Sequence, residues 1–349
     1  MLAVGAYIPP PMYPISLQDR LFDLILQRFP RKSDAIEALC QLLNSSKDPV
    51  YRRLRGETFL TSPELELLAR HYQISLDSLV FEKSDALVCR FNAFSNPVKS
   101  FEDYLGAFVA DLEQLRRLPQ VHLYYASAEI PVMTYHFLPE LIGFKLYVWG
   151  RTTWNLDYLR NRPFEFDLFT PPVQRLSQAV LDHYVHLPGT ELWSLNIVDN
   201  TLAQIEYHLY AGGFGQPSDA LLLCDKLLEW AAHLKKMAEA GRKFVYPGQA
   251  SDASAPLQVY QNEIVYTNNT ALITSSAGQA VYSAFSNPNF IKSTDAKLCT
   301  YMGEWFASVI AKSNLISQSN EKQRDWFFQG LTKKIERVQA RLARFAEEG

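Results

Sequence analysis

AIEALCQLLNSSKDPVYRRLRGETFLTSPELELLARHYQISLDSLV, residues 35–80 of a chain of 349, decides how the amino-terminal part of this protein folds. Ala35, Ile36, Leu39, Leu42 and Leu43 recur at the helical period, and the run stops at the polar turn Asn44-Ser45-Ser46. The helix they mark is predicted to open at Ser33-Asp34, where a small polar side chain can accept from the free amides of a first turn. The next helix takes Ser46 as its cap, tolerates Pro49 among amides that have no helical partner, and passes through Val50, Tyr51 and Leu54 to Gly56. Val50 and Leu54 are assigned to the core. Thr61-Ser62-Pro63-Glu64 supplies a capping box for a helix bearing Leu65, Leu67, Leu68 and Tyr72, and Ser75 caps a short one around Leu76, Leu79 and Val80. Upstream, Leu17, Leu21, Leu24 and Ile25 mark a further helix that Pro30 ends. Residues 15–85 therefore read as an all-α unit of five short helices.

Beyond it the texture changes. The polar stretch Asn92 to Ser100 leads into an amphipathic helix with Phe101, Tyr104, Leu105, Phe108, Leu112 and Leu115 on one face. Val121 to Ala126 is β-branched and aromatic, as a buried strand requires. Helical patterns follow at Phe137 to Trp149, Val173 to Val185, Ile197 to Tyr210 and Ala220 to Ala240, the last running from a Ser218 cap to Gly241. Strands are expected in LQVYQNEIVY, TALITSS and GQAVYSAF between Leu257 and Phe285, separated by Asn268-Asn269 and Ala277-Gly278. Two long helices, Asp295 to Ala311 and Glu321 to about Ala346, finish the chain. At ~150 residues per domain the length calls for more than one domain. The expectation is a mixed α/β (α+β) part over 100–320, divisible into 100–245 and 246–320, followed by a long carboxy-terminal helix over 321–346.

Composition sets limits on function. With 48% apolar and 20% charged residues the chain is globular rather than disordered. A net charge of −3 excludes a protein that coats nucleic acid or membrane by bulk positive charge, so any nucleic-acid contact must be local. Cys40, Cys89, Cys224 and Cys299 form no C-x-x-C pair, which fits a reducing cytoplasm better than a zinc site or a disulfide framework. The amino-terminal MLAVGAYIPPPMYP lacks the basic and apolar regions of a signal peptide, and its prolines favour an extended tail. The most apolar stretch, His136 to Trp149, is cut by Pro139, Glu140 and Lys145, so no membrane span is expected.

The pattern of helix, short polar turn, a helix containing YRRLRG, a capped fourth helix and an ISLD start resembles Cro/λ-repressor-type helix-turn-helix regulators, in the form of large bacterial regulators of the Bacteroidetes type. The resemblance covers residues 15–85 and implies a five-helix helix-turn-helix head that binds double-stranded DNA. One departure is Leu43-Asn44 where the family's turn carries Gly, and Asn tolerates the left-handed conformation required there. Charge agrees: residues 28–55 hold seven basic and three acidic side chains, a local +4, whereas residues 57–85 sum to −4. A recognition helix presents its amino-terminal residues to base edges, which nominates Ser45, Ser46, Lys47, Asp48 and Tyr51, with Arg52, Arg53 and Arg55 reaching base or phosphate. Lys32 and Ser33 sit where the preceding helix's amino terminus can meet a phosphate.

Three further patterns remain open. Phe328, Leu331, Ile335, Val338, Leu342 and Phe345 follow a heptad seam, suited either to a second copy of the chain or to its own core. Twelve aromatics between Val121 and Phe169, with Arg151, Asn155 and Arg160 beside them, form either a small-molecule pocket or core. His183 and His186 with Asp182 lack a third-ligand pattern, Gly212, Gly213 and Gly215 follow no strand, and Ser275-Ser276 lacks a nucleophile elbow. No enzyme activity, cofactor or metal is expected. The sequence as a whole points to a cytoplasmic, DNA-binding transcriptional regulator whose carboxy-terminal part senses a small-molecule effector, forms a homodimer, or both. The competing classes are an enzyme carried on such a head and a protein-interaction module.

Overall fold

The computed structural model describes residues 16–72, 74–80, 87–95, 97–263 and 268–348. The expected amino-terminal tail, the stretch after Val80 and the last part of LQVYQNEIVY lie outside the described residues. The chain divides after Val88 into two units. Thirteen α-helices and an eight-stranded mixed sheet are distributed over them among the described residues.

The amino-terminal unit contains α1 (Leu17–Leu26), α2 (Lys32–Leu42), α3 (Lys47–Leu54), α4 (Ser62–His71) and α5 (Leu76–Val80). Capping boxes open two of them. Thr61 and Glu64 exchange bonds at α4, as their spacing predicts, and Ser16 and Asp19 do the same at α1. The start of α2 differs from expectation. Its cap is Arg31, which offers no side-chain acceptor, and Ser33 instead donates to Asp34 inside the first turn. Ser46 does occupy the cap position of α3, without a side-chain capping bond. Leu21, Phe22, Ile25, Ile36, Leu39, Val50 and Leu68 close the core, with Leu54 half-buried against it. Leu24 and Leu67, read from periodicity as inward-facing, are exposed, because each lies at the margin of its helix's apolar stripe.

The second unit is built on one sheet, in the order β1-β7-β6-β5-β2-β3-β4-β8. Its elements in chain order are β1 (Arg90–Phe91), α6 (Asn92–Ser95), α7 (Phe101–Arg116), β2 (His122–Ala126), α8 (Pro139–Thr152), α9 (Pro171–Val185), β3 (Gly189–Trp193), α10 (Asp199–Tyr210), α11 (Ser218–Ala240), β4 (Leu257–Gln261), β5 (Thr270–Ser275), β6 (Gly278–Ser286), β7 (Asn289–Ser293), α12 (Ala296–Ile310), β8 (Asn314–Leu315) and α13 (Glu321–Glu348). β2, β3 and β4 are parallel, so helical crossovers must join them, and α8–α9 and α10–α11 supply these. Both crossovers advance the same way along the sheet, so a common hand puts both on one face. Leu123, Tyr125, Trp193, Val259 and Ile273 meet the helices there, while Ala126, Leu192, Leu272 and Val281 point the other way to α12. Strands from 100–245 and 246–320 thus interleave in one sheet.

Four strands carried no signal in the sequence: the two-residue β1 and β8, and the longer β3 and β7. All five residues of β3 are buried around a central charge, Glu191, whose carboxylate accepts from Tyr184 Oη at 2.8 Å and Trp193 Nε1 at 3.1 Å and pairs with Lys243 at 3.2 Å. β7 is short and polar at both ends, and is fixed by pairing with β6 and β1. Ser218 sits inside α11 rather than capping it, while Gly241 ends that helix at φ 61° as expected. Among the described residues no helix is long and apolar enough to cross a membrane.

Candidate nucleic-acid interface

Leu43 closes α2 and Asn44 follows at φ 45°. The Asn44 amide donates to Gln41 O at 3.3 Å and the Ser45 amide to Cys40 O at 3.0 Å, the paired bonds of a Schellman termination. Asn carries the left-handed position because its short polar side chain lowers the cost that a β-branched residue would incur. The chain then needs only Ser45 and Ser46 before α3 begins. A second Schellman turn, with Gly56 at φ 70° and Glu57 N donating to Arg52 O at 2.9 Å, ends α3.

Between these turns, Val50 is fully buried and fixes the rotation of α3 about its axis. The outward face consequently carries Lys47, Asp48, Tyr51 and Arg52, with Ser46 exposed at its start, Ser45 half-buried and Arg55 exposed at its end. Lys32 and Ser33 are exposed on the first turn of α2. Lys32 and Lys47 make no ion pair among the described residues, and each stands beside the unsatisfied amides of a helix amino terminus. Eight of the ten nominated side chains are therefore exposed, and Ser45 and Arg53 are half-buried.

Arg53 is set apart by its partners inside the unit. Its side chain is 16% exposed, and its guanidinium donates to Glu64 Oε1 at 2.7 Å and to Pro49 O at 3.3 Å. It is a strut between α3 and the capping box of α4, a structural tie that the sequence reading did not assign to it. Burial alone would raise the Glu64 carboxyl, but the bonds from Thr61 and the adjacent Arg53 outweigh it and hold the group below the usual carboxylate range. Two partners carried no sequence signal. Gln18, a polar residue on the inner face of α1, donates to Arg53 O at 2.7 Å and Thr58 O at 2.9 Å and accepts from Leu60 N at 2.6 Å, clamping the end of α3. Glu57 accepts from Arg55 at 2.6 and 3.1 Å and lies 3.9 Å from Arg52, so the two exposed arginines share one counter-charge. The hydrogen bond from Arg55 draws the Glu57 carboxyl below its ordinary range.

The other patterns resolve within the second unit. The stripe on α13 is consumed by its own chain: Phe328, Leu331, Ile335 and Leu342 are buried in the large core, with Val338 half-buried and Phe345 exposed. Arg341 and Lys334 add ion pairs to Glu206 and Asp199 of α10. Of the aromatic run, Tyr125, Tyr135, Phe144, Tyr147, Trp149 and Phe164 are core, and Arg151 and Arg160 are tied to Tyr147 and Asp157. His186 Nδ1 lies 2.6 Å from Asp182 O, and among the described residues no group of three or more His, Cys, Asp or Glu is placed to hold a metal. Gly212, at φ 63°, begins the turn after α10. No family model, curated protein or solved structure matches this chain.

Proposed function

We propose that this protein is a sequence-specific DNA-binding transcriptional regulator, in which the amino-terminal unit is a helix-turn-helix head and α3 lies in the major groove. The observation that carries the reading is the α2–α3 pair: a tight turn with left-handed Asn44, Val50 locked inward, and Ser46, Lys47, Asp48, Tyr51 and Arg52 turned outward. Helix N-terminal polar residues read base edges, and Lys32 with the first amides of α2 suits a flanking phosphate. The neighbouring Glu57 is the counter-charge that a phosphate would replace at Arg52 and Arg55. The unit beyond Cys89 then serves as the receiver of a small-molecule effector, as the homodimer contact, or both. Dimers span half-sites ~34 Å apart, so a change in that unit that alters the spacing of two heads alters operator affinity. As such a regulator the protein would work in the cytoplasm.

The test is fluorescence anisotropy of the full chain on a randomised duplex pool, followed by selection from it. Arg52→Ala should reduce the slope of log K against log salt by about 0.9, the value for one lost phosphate contact, whereas Arg53→Ala should leave it unchanged. Absent or salt-independent binding across the pool overturns the proposal. A second reading, a protein-interaction module, draws on the neutralised Arg52 and Arg55 and on Phe59, 75% exposed beside them. It requires no DNA binding in the same assay.

A further inference from the structure

The helix-facing side of the sheet holds a cleft of about 120 Å³ where α7 lies over β2, β5 and β6. Its origin is a cross-strand row. Tyr125 pairs with Ala271, Ala271 with Tyr282, and Tyr282 with Lys292, so a methyl group lies between two tyrosine rings. Leu112, Met133 and Ile273 complete an apolar lining. Polar groups are few. Asn269 and Asn287 both donate to Glu129, which also pairs with Lys145, and these amides are spent on that buried network. Two groups are not spent. Tyr282 Oη is shielded from solvent and has no hydrogen-bond partner among the described residues. Asp111 reaches the cleft from α7, likewise with no hydrogen bond there.

We propose that this cleft is a binding site for a small neutral phenol or aromatic alcohol, its ring over Ala271 and its hydroxyl between Asp111 and Tyr282. The volume is close to the ~150 Å³ of an apolar cavity that accepts benzene, and far below the ~300 Å³ at which drug-sized pockets begin. The lining offers too few polar groups for a nucleotide or a sugar. A hydroxyl is the smallest group that donates to a carboxylate while accepting from a tyrosine. Lys292, its ammonium 4.9 Å from the Tyr282 ring centroid, opposes the Asp111 charge and disfavours a cationic guest, and Asp111 disfavours an anionic one. Burial, partly countered by Lys292, also holds the Asp111 carboxyl above its ordinary range. Occupancy of the cleft is independent of DNA; its service as the effector site of the regulator rests on the reading above.

Isothermal titration of the DNA-free full chain with p-cresol, toluene, benzylamine and benzoate tests the site. Wild type should bind p-cresol about tenfold more tightly than toluene, with benzylamine and benzoate weaker than p-cresol. Tyr282→Phe and Asp111→Asn, which keep ring and shape, should bring p-cresol down to the toluene level and leave toluene unchanged. Ala271→Leu should abolish binding of both. The proposal is overturned if p-cresol fails to bind, if it binds no better than toluene, if a charged probe binds best, or if the conservative variants retain the wild-type preference. Because DNA is absent throughout, a negative result leaves the DNA-binding proposal standing, and the converse holds.

Discussion

Replacing Arg53 with Ala separates a structural arginine from Arg52, one residue away, for which DNA contact is proposed. Arg53 and Glu64 side chains are 16% and 20% exposed and meet at 2.7 Å, a charge-assisted bond in a partly dry setting. Such bonds contribute ~1.5–3 kcal/mol, and solvent screening at this exposure argues for about 2. Glu64 is not stranded by the change, since Thr61 N and Oγ1 still donate to it at 2.8 and 3.0 Å. Arg52, 59% exposed and 3.9 Å from Glu57, should contribute less than ~0.5 kcal/mol to stability. The two units need not unfold together, so a single midpoint would mix them, and amide hydrogen exchange read on peptides spanning residues 47–72 of the full chain isolates the head. A loss of ~2 kcal/mol corresponds to exchange about 30-fold faster in Arg53→Ala, with less than about threefold change in Arg52→Ala. Glu64 sits below its ordinary range when folded, so the stabilisation is complete above the unfolded value and is lost as pH falls through the folded one. Equal effects of the two alanines, or unchanged exchange in Arg53→Ala, would refute the strut.

The second unit should be acid-sensitive through buried histidines, with His136 pushed down to about 3 and His208 and His233 to about 4, each chiefly by burial. Folded values below an unfolded ~6.5 mean that the unfolded chain takes up protons first; stability should fall between pH 6.5 and 4 by up to ~1.4 kcal/mol per pH unit per histidine, and a urea midpoint flat from pH 7 to 5 would contradict this. Leu331→Ala, Ile335→Ala and Leu342→Ala, at fully buried positions of α13, should each cost ~2–5 kcal/mol without changing the molar mass seen by light scattering. A mass change in folded variants would instead return the stripe to a dimer contact.

Several local signals in this sequence were legible, although the caps expected at Ser33 and Ser218 do not form. Thr61 and Glu64 form their box because both donors and both acceptors lie within one turn. Asn44 adopts the left-handed position because the sequence offers no glycine between two strong helices. Arg53 was not legible in the same way: in YRRLRG it is indistinguishable from Arg52, and only its 100° turn about α3 relative to that neighbour, set by burial of Val50, delivers it to Glu64. β3 was hidden because a glutamate at the centre of a strand argues against burial unless Tyr184, Trp193 and Lys243 are known to converge on it from elsewhere.

By itself, then, the sequence determined most of the helices, some of their caps, half of the strands and the polarised charge of residues 28–85, since periodicity, capping and turn chemistry are properties of neighbours along the chain. Tertiary structure alone decided which strands stand side by side, that the α13 stripe is covered by its own chain, and that Ala271 lies between Tyr125 and Tyr282. Those outcomes depend on pairings between residues far apart in sequence. Their energies arise only when the sheet is assembled, so no window along the chain contains them.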